Sequence, residues 1–211
     1  MDSRAWDERY AAAGTVWGEE PNRWVVRETE GLMPGRALDL AAGEGRNALW
    51  LAARGWRVTA VDFSAVALEH GRRLAERQPE QIRDRLTWVL ADLTGHRPEA
   101  GAFDLVLVVH LHLPAGERRE VLRRAAAATA PGGVLLVVGH DSANLTEGVG
   151  GPQDPGVLFT PGDVLADLAG QGLETVRAEK LRHPVAGTGG GTAHAVDALV
   201  RLRRPGAARQ G

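Results

Sequence analysis

The stretch that decides the fold is Ala37-Leu38-Asp39-Leu40-Ala41-Ala42-Gly43-Glu44-Gly45-Arg46-Asn47, a short apolar strand that runs into a glycine-rich turn. Gly43 and Gly45 can adopt backbone angles that are closed to other residues, and they let the main chain approach a ligand closely. The helix expected from Arg46 onward directs its free N–H groups at the same place, which favours a carboxylate or a phosphate. The stretch therefore predicts a site for a nucleotide-like cofactor.

Acids at three strand ends narrow the choice of cofactor. Asp39 ends the first strand, where a carboxylate favours an ammonium group over a pyrophosphate. Asp62 ends the second strand, about twenty residues after the glycines, and is placed to accept hydrogen bonds from a ribose. Asp92 ends the third strand, and the Leu93 main chain beside it suits an adenine edge. The glycine turn also satisfies the G-x-G-x-x-A form of the dinucleotide fingerprint, so NAD remains an alternative at this point.

The same residues carry a likeness to a known family. They are Trp6-Asp7-Glu8-Arg9-Tyr10, Trp17-Gly18, Pro21-Asn22, Leu38 to Asn47, Val61-Asp62-Phe63-Ser64, Ala91-Asp92-Leu93 and Phe103-Asp104-Leu105-Val106. With them the chain resembles the class I S-adenosylmethionine-dependent methyltransferases, in particular the small-molecule branch of tellurite-resistance and thiopurine methyltransferase-like proteins. The likeness spans roughly residues 5–203. Ala41 departs from it, because the family pattern usually has its first glycine there.

The resemblance implies a role for each matching position. The glycine turn and Asp39 would hold the methionine end of S-adenosyl-L-methionine, Asp62 its ribose, and Phe63 and Asp92 its adenine. The full set of cofactor-binding residues expected in this way is Asp39, Ala41, Gly43, Gly45, Arg46, Asp62, Phe63, Ser64, Ala91, Asp92, Leu93, Val109, His110 and Trp17. The product would be S-adenosyl-L-homocysteine.

Two histidines that follow the fourth strand, His110 and His112, are the predicted catalytic residues. Open α/β folds bind ligands at the carboxyl ends of their strands, and a histidine there can assist an acceptor that must lose a proton. The residues expected to contact the substrate are Tyr10, His140, Asp141, Arg182 and His183. The spacing of His110 and His112 could suit a metal, but no acid or third histidine lies close in sequence, so no metal site is predicted.

Composition limits the class of protein. The chain has 211 residues, 44% of them apolar, and no cysteine, so it can bury a core without disulfides or thiolate metal sites. A net charge of −2 gives no nucleic-acid footprint, and the basic run at Arg118-Arg119 fits a solvated helix face. No signal peptide or apolar run of membrane-spanning length is present in the sequence given, so we expect a cytoplasmic monomer or homodimer with no membrane partner.

Alternating strand and helix patterns predict an α/β fold: a Rossmann-like, seven-stranded mixed sheet with helices on both faces. The segment between the last two strands is too short for a crossover helix, so the last strand should run antiparallel. We expect one domain over residues 1–204, an N-terminal helical lid within residues 1–34, and a disordered tail at 205–211.

The sequence favours methyl transfer to a small-molecule acceptor. The alternatives are a nucleic-acid or protein methyltransferase and a non-catalytic, S-adenosylmethionine-binding regulatory protein. Val109-His110-Leu111-His112 stands where enzymes that methylate bases on nitrogen carry an Asn/Asp-Pro-Pro-Tyr turn, which argues against methylation of a base nitrogen.

Overall fold

One sheet organises the computed structural model, which describes residues 3–12, 18–186 and 191–206. Its strands are β1 (Arg36–Leu40), β2 (Arg57–Asp62), β3 (Leu86–Leu90), β4 (Phe103–Val109), β5 (Thr129–His140), β6 (Glu174–Ala186) and β7 (Thr192–Arg203). Their order is β3-β2-β1-β4-β5-β7-β6. Strands β1 to β5 pair in parallel, and β7 lies antiparallel between β5 and β6. The predicted seven-stranded mixed sheet is confirmed.

Helices cover both faces of this sheet. They are α1 (Ser3–Ala11), α2 (Arg23–Thr29), α3 (Arg46–Ala53), α4 (Ala65–Glu76), α5 (Glu80–Arg83), α6 (Ala115–Ala128), α7 (Asn144–Glu147) and α8 (Pro161–Asp167). Ser64 caps α4 by accepting from the Ala67 N–H, and Thr160 and Asp163 form a capping box at α8, as their sequence positions predict. Residues 207–211 of the expected tail lie outside the described part of the chain.

The core has two layers, because the central strands are covered on both sides. Leu38 and Val106 pack with Leu122 of α6 on one face. Leu107 and Leu136 pack with Leu51 of α3 on the other face. Strands buried in this way are apolar without alternation, and they fix the positions of the residues at their carboxyl ends.

Arg118, at the start of α6, contradicts the expected solvated face, whereas its neighbour Arg119 is exposed as expected. Arg118 is buried, and its Nε donates to Asp167 Oδ2 at 2.8 Å. Arg119 Nε donates to the other oxygen of the same carboxylate at 3.0 Å. The partner is on α8, 48 residues beyond Arg119, so periodicity within α6 could not reveal it. The pairs join α6 to α8.

A buried acid fastens α2 to the last two strands. Glu28 lies 2.6 Å from Arg177 Nη1 on β6 and 3.7 Å from Arg201 Nη1 on β7. Glu28 itself is buried. A buried carboxylate with cationic partners resists displacement, since removing one partner leaves an uncompensated charge. Consequently α2 holds the residues at its start, Asn22 and Trp24, at a fixed place beside β7.

The glycine turn tolerates no side chain at Gly45. Its φ is +76°, and a Cβ there would lie 2.4 Å from Cη2 of Trp88. We expect Gly45→Ala to lower the free energy of unfolding by about 1 kcal/mol for the backbone strain and by a further 1–3 kcal/mol or so for the clash, measured by urea unfolding. Gly101→Ala is the matched control, because its φ is +62° and nothing lies within 4 Å of its added Cβ. Equal losses in the two variants would contradict the account.

Candidate functional site

The glycine turn is built from alternating left-handed residues. Ala41, Gly43 and Gly45 have φ values of 61°, 56° and 76°. Ala41 therefore takes the conformation that favours glycine, at a cost of about 1–2 kcal/mol, in the position where the related family has one. The Gly43 N–H donates to Asp62 Oδ2 at 2.8 Å, and the Ser64 N–H donates to Oδ1 of the same carboxylate at 2.9 Å. Asp62 thus ties the end of β2 to the turn after β1.

Asp39, at the end of β1, is a carboxyl without a full set of partners. It is buried, and its Oδ2 has no hydrogen-bond partner. Burial, and to a smaller extent the nearby Asp62, raise the pKa of Asp39 to about 7, although Arg46 opposes the shift. A buried carboxyl in this state is stabilised when a cationic hydrogen-bond donor reaches it. The ammonium of an amino-acid cofactor is such a donor.

The residues expected around an adenosine lie at the neighbouring strand ends. Phe63 is half-buried, Leu93 is buried in the core, and Asp92 is exposed, with its Oδ1 accepting from the Thr94 N–H at 2.8 Å. The Ser64 hydroxyl donates to Asp7 of α1, so the first helix docks onto the start of α4. Asp7 was quoted only as part of the family likeness, with no role given to it.

Three histidine rings meet at the ends of β4 and β5. The centroids of His110 and His140 are 4.8 Å apart, those of His112 and His140 are 5.4 Å apart, and those of His110 and His112 are 6.1 Å apart. Val109 pairs with Val138 across the two strands, so the residues just beyond them project from the same edge. His110 has a φ of 55°, and its N–H donates to Val138 O at 2.7 Å.

His110 has a defined neighbour at one ring nitrogen, and His112 has one at each of its two ring nitrogens. His110 Nε2 lies 3.2 Å from Asn22 Nδ2, and its Nδ1 is buried without a hydrogen-bond partner. His112 Nδ1 lies 3.2 Å from Val157 O. The backbone N–H of His140 donates to His112 Nε2 at 3.4 Å. Burial lowers the pKa of His110 to about 3 and that of His112 to about 4, with the neighbouring histidines adding to both shifts. Both imidazoles are therefore neutral.

Asp197 organises the far side of the histidine group, and the sequence analysis missed it. It is buried on β7, and its Oδ2 accepts from Trp24 Nε1 and His183 Nε2, each at 2.8 Å. Its Oδ1 lies 3.3 Å from His140 Nδ1. Burial acts to raise the pKa of Asp197, but the hydrogen bonds and nearby histidines outweigh it and lower the pKa to about 2. An acid inside the apolar run Ala195–Leu199 was the available signal.

The loop after β5 packs against this group. Asn144 anchors the loop, since its Oδ1 accepts from the Val196 N–H at 2.8 Å and its Nδ2 donates to Gly150 O at 2.9 Å. Gly151 sits on the His140 ring, where an added Cβ would be 2.4 Å from Cδ2. Asp141 is buried, and its Oδ1 accepts from the Ala143 N–H at 2.9 Å. The glycine-rich loop therefore closes over the histidines.

Unpartnered buried atoms concentrate at this edge of the sheet. Within the described residues, seven buried side-chain nitrogen or oxygen atoms lack a hydrogen-bond partner. Three of them, Asp39 Oδ2, His110 Nδ1 and Asp141 Oδ2, belong to this site, and two more, His140 Nδ1 and Asp197 Oδ1, lie 3.3 Å from each other without hydrogen-bond geometry. Buried polar groups are normally satisfied, so a group of unsatisfied ones marks a place built to contact a ligand.

The structure brings together most, but not all, of the expected site residues. Asp39 and the turn lie beside Asp62, and His110, His112, His140 and His183 lie in the histidine group or against Asp197. Arg182 is exposed on β6. Tyr10 is buried on α1 with its ring centroid 5.6 Å from that of Trp6. Trp17 lies outside the described residues.

Comparison with known proteins agrees with this architecture. Residues 37–133 match the family model described as "Methyltransferase domain". The match runs from β1 into β5 and includes the glycine turn, Asp62 and both histidines after β4. Together with the strand order, the match shows that residues 37–133 are similar to the methyltransferase domain family that the sequence resembles.

Individual relatives and solved structures extend the comparison. Demethylmenaquinone methyltransferase from Clavibacter sepedonicus is 35% identical over 117 residues, which are 54% of this chain and 46% of the relative. A structure from work on the conversion of a disulfide bond into a thioacetal group during echinomycin biosynthesis has a TM-score of 0.71 at 22% identity and covers 96% of this chain and 92% of its own. TehB from Haemophilus influenzae has a TM-score of 0.70 at 17% identity, with 87% and 62% covered.

These likenesses have defined limits. The chain spans less than half the length of the curated relatives that it matches. The [4+2]-cyclase SpnF, with a TM-score of 0.69 at 16% identity and 97% and 95% covered, also shares the fold, so the fold alone does not fix a reaction. Among the described helices, none is both long and apolar enough to cross a membrane.

The raised pKa of Asp39 makes the stability of the ligand-free protein depend on pH. Between the unfolded value near 3.8 and the folded value of about 7, the folded state holds a proton that the unfolded state has lost, so stability falls as pH rises. Asp39→Asn removes this loss. We expect the variant to gain stability over wild type from pH 4 to pH 8 by up to about 4 kcal/mol, measured by urea unfolding. A pH-independent difference between the two proteins would contradict the assignment.

Proposed function

We propose that this protein is an S-adenosyl-L-methionine-dependent methyltransferase that acts on a small molecule. The observation that carries the proposal is the buried Asp39 carboxyl, whose Oδ2 has no hydrogen-bond partner, beside a turn of left-handed residues. It supports a ligand that combines an ammonium group with a polar tail, and the methionine part of this cofactor has both. The family match and the acids at the next two strand ends support the same ligand.

Different residues of the chain contact the methionine, ribose and adenine parts of the cofactor. Asp39 accepts from the ammonium, and the turn at Gly43 to Gly45 faces the carboxylate with backbone N–H groups. Asp62 lies at the ribose, where it also holds the turn through the Gly43 N–H. Phe63 and the Leu93 main chain cover and read the adenine. The bound cofactor supplies a methyl group on a positively charged sulfur.

Methyl transfer needs the acceptor to be held in line with the methyl group and away from water. We assign His110 and His112 as the catalytic residues that contact the acceptor. Both rings are neutral and lie at the end of β4, next to β1 in the sheet and so on the same edge as Asp39. Asp141 and the loop after β5 cover the acceptor, and His140 orients it.

Two other functions share parts of this site. A nucleic-acid or protein methyltransferase would use the same cofactor residues, but the loop against His140 favours an enclosed, small acceptor. A protein that binds the cofactor without transferring its methyl group, or that performs another reaction on this fold, differs from the proposal only in turnover. A transfer assay separates these cases from the proposed reaction.

Calorimetry tests the cofactor assignment. We expect S-adenosylhomocysteine to bind and NAD not to bind. Asp62→Ala should weaken binding by about 1–3 kcal/mol, because it leaves ribose hydroxyls and the Gly43 N–H without their acceptor. Asp84→Ala, an exposed aspartate beyond α5, serves as the control. Unchanged affinity in Asp62→Ala would contradict the placement of the ribose.

A transfer screen tests the reaction. Wild-type protein is incubated with S-adenosylmethionine and a panel of thiols, phenols, quinols and tellurite, and products are detected by mass. We expect one acceptor class to gain the mass expected for one added methyl group at each turnover. His110→Ala should lower turnover more than it lowers cofactor affinity. Equal losses in both would make His110 a residue of the cofactor pocket instead.

A further inference from the structure

Three imidazoles from two neighbouring strands converge in a way that the sequence does not reveal. His110 and His112 follow β4, and His140 ends β5, 28 residues later. One ring nitrogen of each histidine lies within 4.8 Å of the corresponding nitrogens of the other two. Because β4 and β5 pair directly, the third histidine that the local spacing lacks comes from the adjacent strand.

The spacing of the rings is close to that of three ligands on one metal ion. With metal–nitrogen bonds of about 2.0–2.1 Å and tetrahedral angles, ligand nitrogens lie roughly 3.4 Å apart and imidazole centroids about 5 Å apart. The observed centroid distances of 4.8, 5.4 and 6.1 Å bracket that value from just below to about 1 Å above. The ligand nitrogens, which lie within 4.8 Å of one another, would have to approach by up to about 1.4 Å to complete the geometry.

Two of the rings already have the outer partners that metal-binding histidines use. Such a histidine offers one nitrogen to the ion and directs the other at a carboxylate or a backbone carbonyl. His140 has its Nδ1 3.3 Å from the Asp197 carboxylate. His112 has its Nδ1 3.2 Å from Val157 O. In both residues Nε2 is then available to a metal ion. Binding of the ion would displace only the 3.4 Å hydrogen bond from the His140 backbone N–H to His112 Nε2.

His110 would be the weakest of the three ligands. Its unpartnered Nδ1 is the nitrogen left for an ion, since Nε2 lies 3.2 Å from Asn22 Nδ2. Asn22 Oδ1 accepts from the Trp24 and Val25 N–H groups, so the amide presents its nitrogen to the ring. Ligation through Nδ1 places the ring proton on Nε2, and the contact with Asn22 must then open. The removal of His110 should therefore lower the affinity for the ion less than the removal of His112 or His140 does.

We propose that His110, His112 and His140 form a binding site for a divalent transition-metal ion, with Asp197 as the residue that positions His140. Imidazole ligands select Zn²⁺ and its neighbours among the first-row metals over Mg²⁺ and Ca²⁺, which prefer oxygen. The buried negative charge of Asp197 offsets part of the charge of the ion, whereas the positive charge of Arg46 disfavours a cation at the site. Three protein ligands leave one position open.

The open position gives the site a role that rests on the proposed function. It lies at the end of β4, where the acceptor would meet the methyl group. An ion there would bind an acceptor hydroxyl or thiol as its anion, with the proton released to water. The anion would then form a bond to the methyl carbon as the carbon–sulfur bond breaks and S-adenosylhomocysteine leaves. The acceptor class that fits is a hydroxyl or thiol compound able to coordinate a metal.

Titration of the untagged, chelator-treated protein with Zn²⁺ tests the site. We expect calorimetry to show one Zn²⁺ per chain, and Co²⁺ to give the visible absorption of a four- or five-coordinate ion. Asp197→Asn should weaken Zn²⁺ binding about 10–100-fold. His112→Gln and His140→Gln should weaken it more than Asp197→Asn does, and His110→Gln less than either. His96→Gln, a histidine outside the group, is the matched control and should bind as wild type does.

The outcomes separate the metal site from the proposed function. Binding of S-adenosylhomocysteine is measured on the same samples, and circular dichroism shows whether each variant is folded. Absence of Zn²⁺ binding by wild type, or Zn²⁺ affinity unchanged in both His112→Gln and His140→Gln, overturns the metal site and leaves the cofactor assignment standing. Zn²⁺ binding with the expected ranking, in a protein that does not bind S-adenosylhomocysteine, supports the site and removes its link to methyl transfer.

Discussion

The buried carboxyl of Asp39 is the constraint on which the site depends. The strand that carries it is apolar and covered on both faces, so Asp39 cannot turn to water, and its pKa rises to about 7. An ionisable group held in this state destabilises the ligand-free protein at neutral pH. The left-handed turn beside it carries a further strain at Ala41. Both costs are explained if a cationic ligand is bound there, because the ligand supplies the missing partner.

A second buried carboxylate, Asp197, governs the other half of the site. It joins Trp24 from α2, His183 from β6 and His140 from β5, three segments that are far apart in sequence. The insertion of β7 between β5 and β6 is what brings them together. Unlike Asp39, this carboxylate has hydrogen-bond donors, and its pKa is low. Asp39 therefore lacks a partner that a cationic ligand could supply, whereas Asp197 fixes the residues that are proposed to face an acceptor.

The sequence was sufficient where the determining contacts are local. The strand–turn–helix at residues 37–47, the cap at Ser64 and the capping box at Thr160 depend on neighbours within a few positions, and the structure contains each of them. The seven-stranded mixed sheet with its antiparallel last strand followed from the alternating patterns, from the short last connection and from the family likeness. Parallel strands also place their carboxyl ends at one edge, so the approximate location of the site could be predicted.

Contacts between distant segments could not be predicted in this way. His140 completes the histidine group only because β5 lies next to β4, and the spacing of His110 and His112 gave no sign of it. Asp197 reads as one acid in an apolar strand until its partners are known. Arg118 looked like part of a solvated face because its partner, Asp167, lies on another helix.

The most direct test of the account is a comparison of two ligands that differ at the group facing Asp39. S-adenosylhomocysteine carries the amino-acid end, and 5′-methylthioadenosine lacks it. Calorimetry with wild type and Asp39→Asn should show that wild type prefers S-adenosylhomocysteine strongly and that the variant loses most of this preference. Equal affinity of wild type for the two ligands, or a preference unchanged in Asp39→Asn, would contradict the role given to the buried carboxyl.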